Sequence, residues 1–104
     1  MPIRVDGFDW NEGNRSKCEK HGVSVATIEA LFGGELAVLP DPEHSKSEER
    51  FKAIGTTGRG RPVFLIFTFR RSRNRMLIRP ISARYMHRKE IEHYEKEIAT
   101  TPKR

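Results

Sequence analysis

The sequence predicts an α+β domain with two short N-terminal helices, a four-stranded antiparallel sheet and a C-terminal helix. Three observations carry that expectation. The run Val63-Phe-Leu-Ile-Phe-Thr-Phe69 is apolar and β-rich, short enough for a buried strand and far too short for a membrane span. Ahead of it, a second β-like stretch alternates around Phe51, Ala53 and Ile54, and the intervening Thr56-Thr57-Gly58-Arg59-Gly60-Arg61-Pro62 holds glycines that permit positive φ, the mark of a hairpin. Segments with helical spacing and helix stop signals lie on both sides of this hairpin.

Taken in order, Val5, Phe8 and Trp10 alternate with polar residues in a short extended lead-in whose aromatics cap the core, with Trp10 as packing rather than a base-stacking platform. Asp9 or Asn11 then caps a helix with Glu12 in its first turn, where the macrodipole favours an acid. That helix runs to about His21, and Gly22 is its stop. Cys18 lies in it as a half-buried structural thiol. Ser24 caps a second helix whose stripe Val25, Ile28, Ala30, Leu31 and Phe32 docks on a sheet, and Gly33-Gly34 ends it. Glu35 to Leu39 is the first strand, stopped by Pro40-Asp41-Pro42, and the polar loop Asp41 to Ser47 precedes the hairpin. The third strand ends near Arg70, and Ser72-Arg73-Asn74 turns the chain into a fourth strand, Met76 to Ser82. There Pro80 lacks a ladder donor and points to an edge or a bulge. From Ala83 or Met86 the chain is helical, with Ile91, Tyr94 and Ile98 on one narrow face and a stop before Pro102. Thr100 to Arg104 read as a frayed basic end.

A chain of 104 residues is about one domain and can bury roughly 60–70% of its surface. Its 36% hydrophobic residues are too many for disorder, and its 33% charged residues too many for a membrane protein. One cysteine excludes an internal disulfide, and Met1 to Asp6 lack an apolar signal core, so the cytoplasm is the default location. The formal charge of +6 attracts phosphate polymers or an acidic protein. Seven arginines fall between Arg59 and Arg79, followed by Arg84 and Arg88, a density that serves either nucleic-acid contact or solubility and salt bridges.

No Gly-rich phosphate loop, paired-cysteine metal motif or nucleophile elbow occurs, so nucleotide-dependent and zinc-dependent enzymes are disfavoured and no cofactor or metal is expected. The residue types that remain suffice for metal-free RNA cleavage. That reaction needs a base for the ribose 2′-OH, cations for the phosphorane and an acid for the leaving 5′ oxygen. Arginine suits the middle role through its two-pronged donation to phosphate oxygens. Arg70 and Arg84, each near a strand end, are expected to meet on neighbouring strands. Lys20 and His21 at the first helix's end either answer its dipole or point at a phosphate, His21 as a proton carrier.

Phe8-Asp9-Trp10, Lys20-His21-Gly22-Val23-Ser24, His44-Ser45 with Glu48-Glu49-Arg50-Phe51, Ile54-Gly55, Gly60-Arg61, Phe67-Thr68 with Arg70, and Ile81-Ser82-Ala83-Arg84 together resemble the BrnT family of type II toxin–antitoxin ribonuclease toxins, over about residues 7 to 95. Lys17 departs from the pattern, standing where an Asn is common. The resemblance implies a RelE-like fold, RNA cleavage that arrests translation, and neutralisation by a BrnA-type antitoxin with a ribbon-helix-helix domain. Contact with DNA is implied only through that antitoxin, and a toxin dimer only within the complex. It places the active-site positions on Lys20, His21, Arg70 and Arg84, with Glu49 as a further catalytic candidate. Arg50, Arg59 and Arg61 are candidates for holding RNA. Glu49 and Arg50 serve equally as a surface ion pair, His44 as a general base or a turn residue, and Tyr94 as helix packing sooner than as an acid. The rival reading is a non-catalytic module that binds RNA or a partner, or a co-repressor acting with a DNA-binding antitoxin.

Overall fold

The computed structural model describes residues 5–44 and 46–100. In chain order they form β1 (Gly7–Phe8), α1 (Glu12–Glu19), α2 (Val25–Phe32), β2 (Ala37–Pro40), a 3-10 turn (Pro42–His44), β3 (Arg50–Thr56), β4 (Pro62–Ser72), β5 (Arg75–Tyr85) and α3 (Arg88–Thr100). Ser45 and residues 101–104, among them Pro102, lie outside the described residues.

The sheet has five strands rather than four and is mixed rather than antiparallel, in the order β1-β5-β4-β3-β2. The extra strand is the lead-in: Gly7 and Phe8 pair in parallel with Leu77 and Ile78, and the Asp6 carboxylate accepts from Met76 N at 2.7 Å. The other pairings are the antiparallel ones expected. Strand β2 starts at Ala37, two residues later than expected. Strand β5 continues through Ala83, Arg84 and Tyr85, which pair with Leu65, Phe64 and Val63. The last helix therefore starts at Arg88, because the long apolar β4 needs a partner along its length and that demand overrides weak helical preference.

Two ends were readable from composition and are built as the residues require. Asn11 caps α1, accepting from Asn14 N at 3.0 Å while the Asn14 side chain accepts from Asn11 N at 2.7 Å. Ser24 caps α2, and Gly22 between the helices has φ 84°. The Pro80 signal is a bulge: Ile66 faces Ser82 and Phe67 faces Pro80, so Ile81 is the extra residue on β5.

Side chains alternate across β4. Val63, Leu65 and Phe67 face α1 and α2 and are fully buried with Cys18, Val23, Ile28, Ala53 and Ile78. Phe32 meets Phe67 edge-on at 5.1 Å and Phe8 at 5.6 Å, locking α2 to the sheet centre. Cys18 is fully buried rather than half-buried, and burial, with Glu19 adding to it, pushes its thiol up to about 11. Trp10 packs against this core as expected and donates to Glu29 at 3.0 Å. Asn14 joins α1 to β5, donating from Nδ2 to Pro80 O at 2.7 Å and to Asp9 O at 3.0 Å.

Candidate active site

On the opposite face of the sheet, Phe64, Ile66, Thr68 and Arg70 follow one another along β4. Their partners on β5 are Arg84, Ser82, Arg79 and Leu77. On β3, Arg50 is paired with Thr68 and Lys52 with Ile66. The result is a strip with Arg84 at one end, Arg79 and Arg50 further along, and Arg70 at the other end.

Helix α3 crosses the Arg84 end. Tyr94 lies on Phe64 with ring centroids 5.2 Å apart, and the Lys52 ammonium approaches the Tyr94 ring at 5.6 Å, so Tyr94 is a packing residue. Arg84 makes two parallel bonds to Glu90, of 2.7 and 2.6 Å, with its guanidinium 5.0 Å from the Phe64 ring. Glu90 also accepts from His87 N at 3.3 Å, as an acid in the first turn of a helix can. The Arg84 hydrogen bonds, helped by that backbone donor, hold the Glu90 carboxyl down at about 2, and Glu90 in turn keeps Arg84 firmly protonated.

The other end is built differently. Asp9, just past β1, has Oδ2 3.3 Å from Arg79 and 3.6 Å from Arg70. Glu48 lies 3.4 Å from Arg50 and 3.8 Å from Arg70. Thr68, almost fully buried, donates to the Glu49 carbonyl at 2.6 Å and so ties the 48–49 segment to the strip. Arg79 and Arg50 make hydrogen bonds to these carboxylates. Arg70 stands at ion-pair distance from both acids, with 48% of its side chain exposed. It is a half-exposed cation with Nε on the Asp9 side and Nη2 on the Glu48 side, at distances longer than a hydrogen bond. Its guanidinium is placed between two carboxylates without being consumed by either, and a phosphate oxygen can compete for it.

The expected residues therefore separate. Arg70 and Arg84 share a face but do not meet: Arg84 is opposite Phe64, six residues from Arg70, so their backbones stand roughly 20 Å apart. Lys20 and His21 follow α1 on the other layer, exposed and with no side-chain partner among the described residues. Glu49 is exposed and contributes its carbonyl; the acid beside the arginines is Glu48. Arg59 and Arg61 belong to the β3–β4 turn, beyond the Arg84 end of the strip and not on it. His44 closes the 3-10 turn.

Asp9, Glu48 and Arg79 were not singled out from sequence as site residues. Arg79 and Arg84 are five apart, a spacing that puts them on opposite faces of a regular strand; the bulge at Ile81 returns them to one face. The Pro80 signal was the available clue. Among the described residues, no group of three or more His, Cys, Asp or Glu is arranged to hold a metal ion, and no helix is long and apolar enough to cross a membrane.

Compared with known families, residues 10–90 match the family model described as ribonuclease toxin, BrnT, of type II toxin-antitoxin system. No curated protein matches the chain.

Proposed function

The chain belongs to the BrnT family of ribonuclease toxins of type II toxin–antitoxin systems, and on that premise we propose that it is a metal-independent endoribonuclease acting through Arg70 and its neighbours on the arginine strip. An antitoxin partner comes with the family; the finer reading is a BrnA-type antitoxin that neutralises a cytoplasmic, translation-arresting RNA cleavage. The observation that supports this most is Arg70 itself, half-exposed between Asp9 and Glu48 with Arg79 and Arg50 beside them.

RNA lies along the strip with its scissile phosphate at Arg70. Arg70 donates to the non-bridging oxygens, where charge grows as the phosphorane forms, and each such donor contributes roughly 10²–10³ in rate. Arg79 adds positive potential from below, and Asp9 holds both guanidiniums in place. Glu48 takes the 2′-OH proton, the 2′ oxygen bonds to phosphorus, and the 5′ oxygen leaves with a proton from solvent at this open face. The products are a 2′,3′-cyclic phosphate and a 5′-OH. Arg84 contacts a phosphate further along the strand rather than sharing the scissile one. Lys20 and His21, on the other layer, take no proton in this scheme.

Induced expression of wild type and of the Arg70→Ala, Arg79→Ala double variant, with growth and RNA 5′ ends followed, tests the reading. New RNA ends and arrest in wild type alone support it, provided the variant is folded. Intact RNA in both cultures would leave the co-repressor role.

A further inference from the structure

Arg84 and Tyr85 are successive on β5 and face opposite sides, so the end of the strip borders a second feature on the α2 side. There the β3–β4 turn and α2 border a cleft of ≈ 480 Å³, lined among others by Thr27, Leu31, Thr57, Arg59, Arg61 and Tyr85, with no carboxylate in its wall among the described residues. The Arg61 guanidinium lies 3.7 Å from the centre of the Tyr85 ring. The turn that carries it is closed on itself: Thr57 N donates to Arg61 O at 2.8 Å, Arg61 N to Thr57 Oγ1 at 3.1 Å, and Gly60 N to Thr57 O at 2.8 Å, with Gly60 at φ 81°. Arg61 is thus a planar cation fixed on an aromatic support and exposed to solvent.

We infer that this cleft is a subsite for a nucleotide of single-stranded RNA, next to the strand held on the arginine strip. The inference rests on RNA being the substrate. Arginine planes stack nucleobases, threonine hydroxyls meet base edges, and Arg59 meets the phosphate. An acidic peptide uses the cations but has no need of a stacking plane, so the chemistry favours RNA. Continuity at Arg84-Tyr85 lets one strand pass over the rim of the sheet from strip to cleft.

Uncleavable 2′-O-methyl RNA in two lengths is the probe, a short one matching the strip and a longer one reaching the rim, with binding read by fluorescence anisotropy over a salt series. Arg61→Ala and Arg61→Lys should weaken the longer RNA about tenfold and the short one little, in line with the loss of one stacked base. Arg61→Ala should also lower the salt slope by about 0.7. Tyr85→Phe keeps the ring and should bind like wild type. If wild type binds the longer RNA and Arg61→Ala binds it equally, the subsite is overturned while the strip stands. If wild type binds neither RNA, the RNA reading itself fails and takes the subsite with it. Capture of an acidic peptide through Arg61, with RNA binding unaffected, also overturns it.

Discussion

Replacing Glu90 by Gln removes the charge that holds Arg84 and pins the start of α3 across the sheet. A carboxyl moved from its ordinary 4.5 to about 2 corresponds to about 3 kcal/mol of differential interaction at full value. Arg84 is 40% and Glu90 29% exposed, so solvent screens the pair, and a contribution of about 1 kcal/mol at neutral pH is the realistic figure for a two-bond surface ion pair. For a domain of this size that lowers the melting temperature by about 4–8 °C. The pKa is depressed in the folded state, so the stabilisation is fully present above about pH 4.5 and is lost as pH falls through about 2. Thermal melts of wild type and Glu90→Gln at several pH values should therefore differ by a constant amount at pH 5 to 7 and converge toward pH 2. Gln keeps an acceptor for His87 N, whereas Ala does not, so Glu90→Ala should melt lower than Glu90→Gln at every pH. The freed Arg84 should also strengthen RNA binding at low salt. Equal stability of wild type and Glu90→Gln across the whole pH range would refute the assignment of this pair as the fastener of α3.

Asn14→Ala should lower unfolding free energy in urea by about 2–3 kcal/mol, because it leaves the buried Pro80 carbonyl and the Asp9 carbonyl without their donor. Asn14→Asp should do at least as much harm, since it sets a second oxygen against both. The Cys18 thiol, buried and pushed up to about 11, should react with a thiol reagent at pH 8 only as fast as the chain unfolds, and fully in denaturant.

Local chemistry read directly from residues proved reliable where the physics is local. The caps at Asn11 and Ser24, the turn glycines Gly22 and Gly60, and the hairpin joining β3 to β4 each follow from groups within a few positions of one another. The lead-in reads as extended from its alternation, but its place in the sheet as β1 is not legible, because the pair is only two residues long and its partner lies seventy residues on. The start of α3 was misplaced because Ala83, Arg84 and Tyr85 suit either a strand or a helix, and the length of β4 decides between them. At the candidate site, charge density pointed to arginines, yet which ones share a face depends on the one-residue bulge at Ile81. The exchange of Glu49 for Glu48 has a similar origin: in a loop no period tells which of two adjacent carboxylates turns toward Arg70.

The most direct measurement is cleavage of an end-labelled RNA by the purified chain in excess chelator, comparing wild type with Arg70→Ala and determining the new ends. Cleavage by wild type to 2′,3′-cyclic phosphate and 5′-OH ends, slowed roughly 10²–10³-fold in a folded Arg70→Ala variant, is the expected result. Products with 3′-OH and 5′-phosphate ends, cleavage that stops when metal is removed, or an Arg70→Ala variant that cuts at the wild-type rate would contradict it.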